Sequence, residues 1–481
     1  MARLSSLDAS FLRVETPSAH MHVGWLSLLD LPEGAHQLDP AAVAERVGAR
    51  LHLAPRFRQR LAAAPLALGT ARWEDDPSFG VSRHVTGAPP CPTTAQLRRL
   101  TDDFLSEQLP RDRPLWSLLV VPSVGERRAA LLGKVHHALV DGLAAVELGM
   151  LLFDLAPDAD QPEHVDWSPA PSIGSVRQAI DSVADSALEQ FRVARAVATL
   201  GLSPGRGLRI ADSVRRAAMS VAEDAVRPAP SSYLNSPIGP RRTLVRQRVP
   251  LHRLLRIKSH AGVTLNDVLL AVTGGALRRL AVASSQPPRD LRVMVPVSVR
   301  SADEAQDGGN RITFAFVELP VAERDPARAL TRVREQTSEL KTSGRVAGSD
   351  ILLRSLGALP EPLQTTAARL AASPRLYNLT ISNVPGPRVP LYAAGARVRS
   401  IYPVIPIPDR HGLAIGILTY DGAAHFAAYA DPGALGAVSR LPTMLGDAIE
   451  ELAIGTGARR AHARPVRPRR AYASARGPTA S

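Results

Sequence analysis

Residues 133–142 read GKVHHALVDG. An apolar run, AALLGKVHH (Ala129–His137), leads into this stretch and predicts a strand. Neighbouring side chains on a strand point to opposite faces. His136 and His137 therefore cannot both face one reacting atom, nor chelate one metal together. One can serve chemistry while the other packs. After the pair, GLAAVELGMLLFDL (Gly142–Leu155) predicts a helix, with Asp141 placed as its N-cap. Asp141 can orient the loop or pair with a distant arginine. Taken alone, the pattern also fits two ordinary strand-end histidines and a helix cap.

Upstream, MHVGWLSLLDL (Met21–Leu31) predicts a strand. Leu38–Ala54 and Thr93–Leu109 predict helices, with apolar residues three and four apart. Trp116–Val124 and Ala129–His137 flank Gly125-Glu126-Arg127-Arg128, a hairpin signature. Downstream, residues 156–171 are rich in Pro and Asp and read as a linker. Residues 172–226 are amphipathic, basic and helical in pattern, and Pro228–Arg242 is a second Pro-rich loop. A second alternation then begins. Strands are expected near Thr243–Pro250, Asp290–Val297, Ile312–Leu319, Asn378–Ser382, Gly412–Tyr420 and Ala423–Ala430. Helices are expected at Thr264–Ala281, Pro326–Thr342, Ser349–Ala372 and Pro432–Leu452. The expected organisation is an N-terminal α/β unit (1–160), a connecting segment (161–240), a C-terminal α/β unit (241–457) and a basic tail (458–481) without fixed structure.

With 481 residues and 45% apolar composition, the chain can bury a large core. Its single cysteine, Cys91, excludes a disulfide scaffold and a cysteine-based zinc or iron–sulfur site. His20 and His22 share a strand face, but no third ligand stands at motif spacing, so no metal is expected. The net charge of +13 would suggest nucleic acid or an anionic membrane as partner. Seven arginines and no acid lie within 458–481, however, and without them the charge falls to +6. The cationic residues are 55 arginines and three lysines, a bias typical of G+C-rich coding sequence. No basic–aromatic module is present, so nucleic acid is not an expected partner. No leader-like run opens the chain, and no 18-residue uncharged apolar stretch occurs. A cytoplasmic protein is expected, peripheral at most to a membrane or lipid surface.

HHxxxDG resembles the active-site signature of the acyltransferase superfamily that includes chloramphenicol acetyltransferase and the condensation domains of peptide synthetases. The remainder resembles one branch, the bacterial bifunctional wax ester synthase/diacylglycerol acyltransferases. In the N-terminal half the matching segments are LSSLDASFLRVE (Leu4–Glu15), MHVG (Met21–Gly24), PRFRQRL (Pro55–Leu61), Trp73–Phe79 and RPLW (Arg113–Trp116). In the C-terminal half they are TLNDVLLAVTGGALR (Thr264–Arg278), VPVSVR (Val295–Arg300), GNRITFAFVELP (Gly309–Pro320) and SNVPGP (Ser382–Pro387). The likeness spans about residues 4–455. It departs at Gly80, where an acid is frequent, and at His20, where proline is common.

The resemblance implies two chloramphenicol acetyltransferase-like subdomains with mixed sheets and an active site in a channel at their interface. It implies transfer of an acyl group from long-chain acyl-CoA, a substrate rather than a cofactor, to diacylglycerol or a fatty alcohol. His137 would be the general base, His136 its structural support, Asp141 and Gly142 would set the loop, and Arg300 would pair with Asp141. Asn266 and Asp267 would support the site or the oxyanion, although TLND also reads as a capped helix start. Asn383 would shape a nearby turn. Direct transfer needs no Ser or Cys nucleophile, and no G-x-S-x-G elbow occurs. Two other readings use the same fold: transfer from a carrier-bound or polyketide acyl group, and a non-catalytic lipid-surface protein.

Overall fold

The computed structural model describes residues 4, 6–62, 71–139, 149, 151–160, 165–171, 228–298, 312–342 and 361–458. Asp141, Gly142, Arg300, the segment 172–226 and the tail beyond 458 lie outside the described residues.

The N-terminal half runs α1 (Ser6–Val14), β1 (His22–Asp30), α2 (Pro40–Arg50), β2 (Gln59–Ala62), β3 (Arg72–Asp75), β4 (Val85–Gly87), α3 (Thr94–Ser106), β5 (Trp116–Val121) and β6 (Arg128–His136). The C-terminal half opens with β7 (Thr243–Pro250), α4 (Leu251–Ala261), α5 (Leu265–Ala283), β8 (Leu291–Ser298), β9 (Ile312–Leu319), α6 (Pro326–Thr342) and α7 (Glu361–Ala371). It continues through β10 (Leu379–Pro385), β11 (Tyr392–Ala393), β12 (Ala396–Val404), β13 (Leu413–Tyr420), β14 (Ala423–Ala430) and α8 (Leu441–Gly455). Two six-stranded mixed sheets result, ordered β11-β12-β1-β6-β5-β4 and β7-β14-β13-β10-β8-β9. This is the expected α/β architecture in two sheet-rich halves.

Strand β6 is central because eight of its nine residues are buried, as its continuous apolar run requires. Its partner β1 sets the register, pairing His22 with His136 and Trp25 with Gly133. A Cβ on Gly133 would lie 2.0 Å from the Trp25 ring, so this position holds only glycine. In the other half, α5 starts with a full capping box between Thr264 and Asp267. It packs closely against α8, where a Cβ on Gly275 would sit 3.0 Å from that of Ala448.

The boundary between the halves is less clean than 241–457 suggested. Strand β12 leaves the C-terminal unit and pairs antiparallel with β1, so the N-terminal sheet borrows its edge from the other half. Between the sheets, Leu26, Leu97, Leu132, Leu244, Tyr402, Val404, Ala427 and Tyr429 form one continuous core.

Several expected elements differ in extent. Helix α2 is shorter than Leu38–Ala54, because the chain tightens into a 3₁₀ turn at Leu51–Leu53 ahead of Pro55. The final helix begins at Leu441, after a 3₁₀ turn at Gly436–Arg440. Asp431 caps the preceding turn through the N–H groups of Gly433 and Ala434. Helices α1 and α4 and strand β12 were not expected. Within the expected linker, residues 165–171 lie against the N-terminal unit: Arg58 lies over the Trp167 ring, and Asp75 accepts the Ala170 N–H.

Candidate active site

The end of β6 is pinned from both sides. The His136 N–H donates to the Leu115 carbonyl, and the His137 N–H donates to the Met21 carbonyl at 2.9 Å. Met21 presents that carbonyl from a left-handed conformation, with φ of 45°, which a non-glycine residue adopts only when its surroundings enforce it. The strand stops at His136, one residue short of the expected end, and His137 opens the turn that follows, so the two imidazoles have different surroundings. His137 stacks on Phe11 of α1, with ring centroids 3.8 Å apart and planes 14° from parallel. His136 is buried and turns toward His22 and Glu15.

The two rings have different surroundings. His136 Nδ1 accepts the Ala138 N–H at 3.0 Å, and its Nε2 lies 3.6 Å from Glu15 Oε2. Arg111 forms an ion pair with the same Glu15 oxygen. His137 Nδ1 is sealed from solvent with no well-formed hydrogen bond among the described residues. The residue as a whole is half-buried, with its ring deep among protein atoms. Burial lowers its pKa to about 4; its own backbone carbonyl opposes that fall and the neighbouring His136 adds to it. At neutral pH His137 is therefore an unprotonated imidazole, able to accept a proton. Burial likewise lowers His22 and His20 below the usual histidine range. Their rings lie 5.6 Å apart, and no group of three metal-ligating side chains occurs among the described residues.

Asn266, Asp267 and Asn383 form a second polar group, at the start of α5 and the end of β10. The Asn383 amide faces Asn266 Oδ1 at 3.4 Å, and Asn383 Oδ1 is buried without a partner among the described residues. Asn383 lies inside β10, opposite Ile417 of β13, not in the expected turn. The parallel pairing carries the strand through Pro385, and the turn starts only afterwards. Asp267 is committed to structure: one carboxylate oxygen accepts the Thr264 N–H, and the other accepts the Thr337 hydroxyl at 2.7 Å. Both carboxylate oxygens of Asp267 thus tie the start of α5 to itself and to Thr337 of α6.

Two contributors had no assigned role in the sequence, Phe11 and Glu15. Both belong to LSSLDASFLRVE, so the segment was visible, but its contacts with residues 111, 136 and 137 are too distant in sequence to read. The same segment ties this end of the molecule to the C-terminal half, because Arg13 donates to Gln364 of α7.

The wax ester synthase/diacylglycerol acyltransferase catalytic domain matches residues 4–269, and the C-terminal domain of the same family matches 308–453. A probable diacylglycerol O-acyltransferase of Mycobacterium tuberculosis, tgs1, is 31% identical over 460 residues, covering 94% of this chain and 96% of that protein. A second from the same species, tgs2, is 34% identical over 427 residues, covering 87% and 91%. Among solved structures, the wax ester synthase/diacylglycerol acyltransferase of Marinobacter aquaeolei shares the fold, with a TM-score of 0.67 at 24% identity, covering 95% of this chain and 100% of that one. The first condensation domain of the CDA synthetase shares it more distantly, with a TM-score of 0.55 at 16% identity, covering 94% and 96%. The first family model alone spans more than half of the chain, across the strand that ends in His136 and the turn that carries His137, and the chain accordingly belongs to the wax ester synthase/diacylglycerol acyltransferase family of acyltransferases.

Proposed function

We propose that this protein esterifies diacylglycerol with a long-chain acyl group from acyl-CoA, giving triacylglycerol, and also accepts long-chain alcohols to give wax esters. The observation that carries this reading is the desolvated His137, stacked on Phe11 in the turn that follows β6 and held neutral by burial. In the proposed reaction His137 takes the hydroxyl proton as the acceptor oxygen attacks the thioester carbonyl. The tetrahedral intermediate then expels coenzyme A thiolate, which recovers the proton from His137. A new C–O bond replaces the C–S bond, and no acyl-enzyme forms. General-base catalysis of this kind contributes about 10²–10⁴-fold. His136 holds the turn, and the Asn266–Asn383 pair supports the site from the other half. Asp141 with Gly142 sets the loop, and Arg300 is its partner. The choice of diacylglycerol rests on the relatives' names. Among the described residues no helix is long and apolar enough to cross a membrane, so these water-insoluble acceptors are met at a lipid surface.

Purified protein given one labelled long-chain acyl-CoA and a panel of diacylglycerol, hexadecanol and a secondary alcohol tests the reading by product chromatography. Diacylglycerol should give the fastest turnover. Transfer only from an acyl group on a carrier protein would replace this reading with the carrier-bound one. No transfer from any donor would favour a non-catalytic lipid-surface role.

A further inference from the structure

The segment that closes α1 meets both histidines of the motif, through Phe11 at His137 and through Glu15 at His136. Glu15 is the unusual member. Its side chain is only 7% exposed. Burial by itself would raise its pKa, but His136 and Arg111 outweigh burial and hold the carboxyl below its usual range. A buried carboxylate is costly unless paired, and here its two partners are one outer arginine and one motif histidine.

The hydrogen bonds fix the state of His136. Because Nδ1 accepts the Ala138 N–H, it carries no proton, and the proton of the neutral ring sits on Nε2. That nitrogen is sealed from solvent, has no direct hydrogen bond among the described residues, and faces Glu15 Oε2 at 3.6 Å. Arg111, with a half-exposed side chain, grips the same oxygen from outside. A series of contacts thus runs from Arg111 to Glu15, across 3.6 Å to His136 Nε2, and from His136 Nδ1 to the Ala138 N–H. Its inner end is the turn 136–139, which the Leu139 N–H closes on the His136 carbonyl and which carries His137.

We propose that Glu15, braced by Arg111, is a positioning residue for acyl transfer: it fixes the His136 ring and, through the Ala138 N–H, the turn that aims His137. Glu15 touches no reacting atom. The inference rests on the reading of His137 as the base. Displacing a catalytic group by about 1 Å can cost on the order of 10²-fold in rate, so a loosened turn should register in kcat.

Glu15→Gln keeps the shape and removes the charge. It should lower kcat about tenfold, leave KM within about twofold and leave the melting temperature close to wild type. Glu15→Asp restores the charge on a shorter stem and should recover part of the loss, a rescue that a purely structural role would not give. Arg111→Gln should lower kcat about threefold, with little further effect in the Glu15→Gln background, because Arg111 acts through Glu15. A kcat within about twofold of wild type in Glu15→Gln overturns the proposal. If Glu15→Gln does not fold, Arg111→Gln carries the test, since Arg111 is 53% exposed and its replacement is tolerable; an unchanged kcat there overturns the proposal equally. His137→Ala assayed alongside separates the two failures. Retained activity in that variant removes the base reading, whereas a wild-type kcat in Glu15→Gln removes only the positioning role.

Discussion

His137 directly follows β6 and His425 lies inside β14, yet burial pushes both imidazoles down to about 4. Neither has a well-formed side-chain hydrogen bond at Nδ1 among the described residues. The difference lies in what surrounds them. His425 sits on a strand buried along its whole length, between Leu418 and Arg248 on the flanking strands, with Tyr402 edge-on at 5.4 Å. It is fully enclosed. His137 directly follows a strand end, is only half-buried as a residue, is stacked on Phe11, and follows a residue whose carboxylate contact reaches the surface. A depressed pKa therefore marks desolvation, and only placement at an accessible strand end turns desolvation into a candidate base.

The sharpest way to break this comparison is to remove each ring in turn. His137→Ala should lose at least about 10²-fold in kcat while remaining folded, as expected for a lost general base. His425→Leu should keep turnover per folded molecule within a few-fold, because it removes a buried, poorly satisfied polar ring in favour of an apolar one. Initial rates read beside a thermal melt decide the matter. A His137→Ala enzyme that keeps more than about a tenth of the wild-type rate would strip His137 of the assigned role. A large kcat loss in His425→Leu at unchanged stability would mean that buried imidazoles matter for turnover wherever they lie.

Acid stability is the next largest effect, and here the two histidines should behave alike. The folded-state pKa of each lies below the unfolded value of about 6.5. Between about pH 6.5 and 4 the unfolded chain binds more protons, so stability is fully present above 6.5 and is lost as the pH falls toward 4. His20, His22, His84 and His411 are lowered too, each first by burial, and they add to the same loss. For the enclosed His425 the loss is on the order of 3 kcal/mol. Chemical denaturation at pH 7 and pH 5 should show wild type losing stability and His425→Leu losing measurably less. Parallel loss in the two proteins would contradict the assigned burial of His425. In the activity profile, kcat/KM should hold to well below pH 6, because His137 stays unprotonated until the pH approaches 4.

What could be read from the sequence follows the range of the interactions. The β6 strand, its hairpin with β5 and the capped start of α5 are local features, and AALLGKVHH and TLND carried them. The reading of Asp267 as a helix cap was open to inspection, and the Thr337 hydrogen bond settles where its second oxygen goes. β12 was missed although its buried and exposed residues alternate from Ala396 to Ser400. Nothing in that alternation says that its partner is β1, more than 350 residues earlier. Asn383 was misplaced because the prolines at 385 and 387 suggested a turn, whereas pairing with β13 keeps the chain extended. Glu15 was invisible for the same non-local reason, as its partners stand at 111 and 136.

Asp267 gives a smaller and purely structural contrast with the histidines. Asp267→Ala removes the capping box of α5 and one partner of the buried Thr337 hydroxyl, and should cost about 1–2 kcal/mol of stability. Turnover per folded molecule should be unchanged. A kcat loss without a stability loss would restore Asp267 to the chemistry.

The smallest effect on either histidine is expected from deleting residues 458–481. The seven arginines there account for more than half of the net charge, yet the strand and turn contacts of His137 and His425 are made without them. Turnover with detergent-solubilised acceptor should therefore survive the deletion, and the acid loss of stability should keep its shape. The tail can still act on substrate access. An arginine near an anionic bilayer contributes about 1 kcal/mol, screened over about 10 Å at 0.1 M salt. Binding to liposomes with an anionic lipid should then weaken on deletion at low salt and converge with wild type at high salt, while neutral liposomes show no difference. Unchanged anionic-liposome binding would remove the tail from lipid recognition. Lost turnover in detergent would show that the tail supports the strand end that carries His137, and the contrast between an accessible and an enclosed histidine would then depend on a segment far from both in sequence.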